Sequence, residues 1–153
     1  PGRRRECRHG AARLTDVHPT AREMALVAAG GALGAAARYG VAEAFPVASS
    51  TFPATTLAVN LTGAFALGLL LEHLLRRGRA HGWIRLLVGI GVLGSFTTFS
   101  TFAVEVAGLL RDGEATIAGG YVAASVAGGI AACFAGLAVG GWRRGPVPDE
   151  GES

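Results

Sequence analysis

The 153-residue sequence predicts an all-α membrane protein: one domain of four transmembrane helices, the third broken mid-membrane. Three observations predict it. Only 16% of the residues are charged, against about 25% in a typical soluble domain, and those charges gather at the ends and in one loop. Four runs reach the roughly 20 apolar residues that a bilayer crossing needs. The third run is interrupted, at membrane depth, by serine, threonine and glycine, which weaken a helix.

The elements follow in order. Residues 1–23 are basic, lack the apolar core of a secretion signal and read as a disordered tail. The four-span domain covers residues 24–142. Its first span is about Met24–Phe45, ended by Phe45-Pro46. The second is about Pro53–Leu75, with proline at the helix start, where its missing N–H costs nothing. The third is about Ile84–Leu110, too long and too polar in its middle for a plain helix. The fourth is about Ala115–Trp142, stopped by Arg143, Arg144 and Pro146. Residues 143–153 read as a second disordered tail. Glycine pairs and triads in every span, such as Gly30, Gly31 and Gly34, let helix backbones approach closely, which supplies contact where lipid gives no hydrophobic drive.

All fourteen basic residues are arginine. A pI near 9.5 could suggest nucleic acid, but the arginines flank apolar spans, where positive residues set orientation. The N-terminal tail, the loop Arg76–Arg85 and the C-terminal tail carry twelve of them on one side. Arg111 stands alone on the other side, and Arg38 lies within the first span. The positive-inside rule therefore predicts a multi-pass protein of the cell membrane with both termini cytoplasmic. Cys7 and Cys133 are too separate in setting for a disulfide framework or a metal site. No nucleophile–base pair or metal set appears at membrane depth, which excludes an ordinary enzyme.

Three polar features at membrane depth carry the functional reading. Arg38 is costly there, by about 2.5–3.5 kcal/mol on insertion scales; it either snorkels to the interface, pins helices together or draws anions. Asn60 either bridges helices or offers its NH₂ as a neutral donor to an anion. The third span carries Gly91 to Phe102, reading GVLGSFTTFSTF. Broken backbone is tolerated in a membrane only where protein or a water-filled cavity covers it. A break here frees carbonyls that can hold a hard cation such as Na⁺, and N–H and hydroxyl groups that can hold an anion. The alternative is a continuous helix whose hydroxyls bond back to their own carbonyls. Phe99 and Phe102 share a helical face if helix resumes, and a ring's positive edge can meet an anion without a formal charge.

These residues resemble the CrcB/Fluc fluoride channels. Gly91 to Phe102 matches that family's GxxGxxTTFSTF, Gly30 to Tyr39 its GGxxGAxxRY, and Asn60 to Gly68 its NxxGxFxxG. The resemblance covers about residues 24–142. It implies an antiparallel dimer with two narrow pores and a passive export of cytoplasmic fluoride. It implies that carbonyls of Gly94 and Thr97 hold one structural Na⁺ at the dimer centre. It places Asn60, Phe99, Phe102, Ser100, Thr101, Tyr121 and Ser125 along the fluoride pore. Arg38 falls near an anion-attracting vestibule, and Glu105 near the end of the polar track. The strong arginine bias, set against members that insert both ways, predicts a partner of opposite topology rather than a second copy, although either dimer suits the resemblance. Two rivals stand beside this reading. A small proton-coupled drug exporter also has four spans, but it wants an embedded carboxylate, and the first span has only Glu43 at its end. A non-transporting scaffold subunit leaves Asn60 and the threonine-rich break unexplained.

Overall fold

A computed structural model of the chain describes residues 19–48, 51–77 and 82–142, the side chains of Arg76 and Arg77 excepted. Every regular element in it is helical: α1 (Ala21–Ala44), α2 (Ala54–Arg77), α3 (Gly82–Ile84), a π-helix (Arg85–Leu93), α4 (Gly94–Phe96), α5 (Phe99–Arg111) and α6 (Ala115–Trp142). From α3 to α4 the turns are continuous, so the third span is a bent rod of two halves meeting at Thr97 and Thr98. Four stretches are long and apolar enough to cross a membrane: Ala21–Ala44, Ala54–Leu75, Gly82–Arg111 and Ala115–Trp142. Residues 1–18 of the expected tail 1–23, and all of the expected tail 143–153, lie outside the described residues, as do residues 78–81 of the loop carrying Arg79.

The first helix starts earlier than its apolar run. Thr20 Oγ1 accepts from Glu23 N (3.2 Å), and Thr20 N donates to Glu23 Oε2 (2.8 Å). This capping box satisfies donors that a helix start leaves open, so residues 21–23 belong to the helix and not to a tail. The turn between α5 and α6 is equally specific. Glu114 N donates to Leu109 O (2.8 Å) and Gly113 N to Leu110 O (3.3 Å). Gly113 has φ 86°, the left-handed geometry that favours glycine at the end of a helix.

Two glycine seams hold the helices together. On α1, a Cβ at Gly30 would collide with Leu87 O, and one at Gly34 with Val92 O. On α2 and α6 the contact is reciprocal: Gly68 meets Cys133 O, and Gly136 meets Phe65 O. In both seams backbone lies against backbone, the arrangement that small residues allow in lipid. Few side chains are buried. Leu109, Ala118 and Tyr121 form a small core between α5 and α6, with Leu57 and Phe102 packed on it. Large residues such as Leu33, Phe99 and Phe134 stay exposed on the single chain, a surface for lipid or another subunit.

Candidate functional site

The site is built around the interruption of the third span. Thr97 (φ −75°, ψ 154°) and Thr98 (φ −144°, ψ 122°) are extended. Thr97 ends the first half by turning both its N–H (3.1 Å) and its hydroxyl (2.9 Å) onto Leu93 O. Thr98 N–H, which a continuous helix would aim at Gly94 O, donates instead to Asn60 Oδ1 (2.9 Å). Asn60 Nδ2 donates in return to Thr98 O (3.0 Å). One amide side chain thus replaces the main-chain partner of Thr98 N–H and adds a second bond to its carbonyl, meeting the demand that a buried N–H be paired. Thr98 Oγ1 then caps α5 by accepting from Thr101 N (3.2 Å). That N–H would otherwise have gone to Thr97 O. The carbonyls of Gly94 and Thr97 therefore both lose their helical donors, and they lose them to side chains. Gly63 lets α2 come this close, since a Cβ there would overlap Thr97 Cγ2.

Beside the break lies an open groove of about 460 Å³ between α2, the third span and α6. It brings together Asn60, Gly94, Thr97, Phe99, Phe102 and Ser125. No charged side chain is among its lining residues. Ser125 Oγ is buried without a hydrogen-bond partner among the described residues. Phe99 is 80% exposed, and its ring centroid lies 5.8 Å from that of Phe102, tilted by 38°. The rings therefore share a face, as their spacing predicts.

The remaining predicted residues sit outside the groove. Ser100 Oγ and Thr101 Oγ1 lie 3.2 and 3.0 Å from Thr98 Oγ1, a hydroxyl cluster on the first turn of α5. Tyr121 is fully buried; its ring packs on Phe102 (5.1 Å) and edge-on to Phe52 (5.6 Å). Its hydroxyl donates to Glu105 Oε2 (2.7 Å), and Thr56 donates to Glu105 Oε1 (2.6 Å). Glu105 thus ties α2, α5 and α6 together, and it also borders a second cavity of about 270 Å³ with Asp112. Arg38 donates Nε to Ser95 O (3.2 Å). Among the described residues, no three His, Cys, Asp or Glu side chains converge to hold a metal.

Thr56 is a member of this polar network that the sequence reading missed. It stands 49 residues from Glu105, and a lone threonine near a helix start gives no signal of its own. The π-helix was missed too, because an i→i+5 pattern leaves no periodic mark in so apolar a run.

Comparison with known proteins converges on one family. The family model described as "CrcB-like protein, Camphor Resistance (CrcB)" matches residues 25–137. A "Fluoride-specific ion channel FluC" of Chlorobaculum tepidum is 50% identical over 111 residues, covering 72% of this chain and 88% of that protein. One of Chelativorans sp. is 50% identical over 113 residues, 73% of this chain and 90% of its own length. One of Agrobacterium fabrum is 46% identical over 118 residues, 76% and 94% respectively. With three span motifs, four apolar helices and a main-chain break at Thr97–Thr98 on the same chain, the protein belongs to the CrcB family.

Proposed function

We propose that the chain is one subunit of a fluoride-selective passive channel that lets cytoplasmic fluoride leave the cell. The observation that carries this reading is the uncharged groove beside the break, lined in part by Ser125, whose buried hydroxyl has no hydrogen-bond partner among the described residues. Fluoride gives up a tight hydration shell only to close, strong donors, and a filter must release what it binds. Neutral donors meet both demands. Asn60 has two Nδ2 hydrogens; one goes to Thr98 O and the other is available to an anion. The Ser125 hydroxyl is a second donor. The ring edges of Phe99 and Phe102 add positive potential without a formal charge. Ser100 and Thr101 extend the polar groups along α5, while Tyr121, turned toward Glu105, would reach the path only through that carboxylate.

The groove is open on one side, and a second subunit lying antiparallel would close it. That partner is either a second copy or a related chain of opposite topology; the one-sided arginines favour the related chain. Gly94 and Thr97 would hold a structural Na⁺ between the two breaks, since their freed carbonyls are the neutral oxygens a hard cation takes. Bound there, the ion would offset the partial negative charge of the first half-helix.

Outward flow needs no pump. HF crosses lipid and ionises in a neutral cytoplasm, and an interior-negative potential is worth about 2.3 kcal/mol per charge per 100 mV. The test is fluoride efflux from liposomes under a potassium gradient, read with a fluoride electrode. Phe99→Ile and Phe102→Ile should each cut flux by about tenfold or more, one hydrogen-bond-sized contribution, while the protein still assembles. Wild-type flux from both variants would count against the ring-edge path.

A further inference from the structure

The resemblance assigns Arg38 to an anion-attracting vestibule; the geometry points to a different task. We propose that Arg38 is a positioning residue that fastens the end of the first half-helix, and so sets where the third span breaks. Gly30, Gly34 and Arg38 are spaced by four and share one face of α1. Gly30 meets Leu87 and Gly91, Gly34 meets Val92, and Arg38 meets Ser95. The contacts advance in step along the third span, and Arg38 is the next rung after the two glycines. Its Nε donates to Ser95 O at 3.2 Å in a part-buried setting.

Ser95 lies within α4, one residue before the last helical position. Carbonyls there lack the i+4 donor of a continuing helix and carry the negative end of the helix dipole, where a cation is favoured. Arg38 is not among the groove's lining residues, which come from α2, the third span and α6. Two side chains thus bracket the break from two other helices. Arg38 holds the residue two before Thr97, and Asn60 holds Thr98 just after it. Ser95 O is thereby occupied, while Gly94 O and Thr97 O lose their helical donors to side chains.

This inference rests in part on the channel reading, so the test has one readout that does not. Amide hydrogen exchange is measured on the reconstituted full chain, wild type, R38Q and R38K, together with fluoride efflux. Exchange over residues 96–101 should quicken in R38Q by about tenfold, the scale of one hydrogen bond to a charged group, while α6 keeps its rate. R38K, which retains a cation near the helix end, should fall between. Fluoride efflux by R38Q should stay low at saturating fluoride in about 1 M inert salt, where the screening length is about 3 Å. Wild-type exchange at the break in R38Q overturns the proposal. So does a flux deficit that vanishes at high salt, which marks attraction through space. If R38Q does not insert, wild-type exchange in R38K overturns it. If wild-type protein passes no fluoride while exchange behaves as stated, the channel reading fails and the positioning role stands.

Discussion

At the residue scale, the site depends on which main-chain groups lose their helical partners and which side chains take them. Asn60 carries the clearest consequence. Asn60→Ala leaves Thr98 N–H without its partner, at about 1–3 kcal/mol for a buried group left unsatisfied. The variant should unfold earlier in a thermal scan and pass little fluoride. Ser125 makes the opposite forecast for stability. Its hydroxyl is buried and unpaired, so Ser125→Ala should be neutral or stabilising by up to about 1 kcal/mol, yet lower the flux. Full flux with unchanged stability would remove Ser125 from the path. The sequence made the importance of Asn60 legible, because an amide at membrane depth needs a reason; Ser125 was marked only by the family resemblance. The sequence did not show that Asn60 is engaged with Thr98, 38 residues away. The sequence reading kept a helix bridge and an ion contact as alternatives; the structure shows the bridge, and the second Nδ2 hydrogen leaves room for the contact. Nor did it show that Tyr121 is turned away from the groove toward Glu105. Side-chain pairing between distant helices is set by tertiary packing, which spacing along one helix does not encode.

At the scale of elements, the third span is positioned by α1 on one side and α2 on another. Glycine makes both contacts possible. Gly30→Leu forces a side chain into Leu87 O and should cost more than the usual 1–3 kcal/mol of overpacking, because backbone cannot swing aside. Gly40 has open space around its Cα, so Gly40→Ala should be tolerated and gain up to about 1 kcal/mol of helix propensity. Size-exclusion profiles and thermal melts in detergent separate the two outcomes. The π-helix Arg85–Leu93 sets the rotation of everything after it. Deleting Val88 should shift the register of the break relative to α1 and abolish flux while insertion persists. The four spans and the interruption were legible because hydropathy and helix propensity are local properties. The start of α1 was missed: the Thr20–Glu23 capping box lies just outside the apolar run, so hydropathy assigns residues 21–23 to the tail. The widened turn was missed too, since the residues of Arg85–Leu93 suit an α-helix equally well.

At the scale of the whole molecule, a single chain leaves its groove open and much of its apolar surface uncovered. The arginine distribution predicts one orientation, with both termini on the cytoplasmic side. Reporter fusions at the C-terminus should therefore report one side only; similar signals from both sides would favour a homodimer that inserts both ways. A partner of opposite topology, co-expressed, should then raise fluoride efflux above that of this chain alone. The account's central claim is that a main-chain break at Thr97–Thr98, flanked by uncharged donors, passes fluoride. Its most direct test is simultaneous electrode measurement of fluoride and chloride release from liposomes holding the purified chain together with any subunit that co-purifies. The account predicts fluoride release with chloride retained. Equal release of both ions, or none of fluoride, would contradict it.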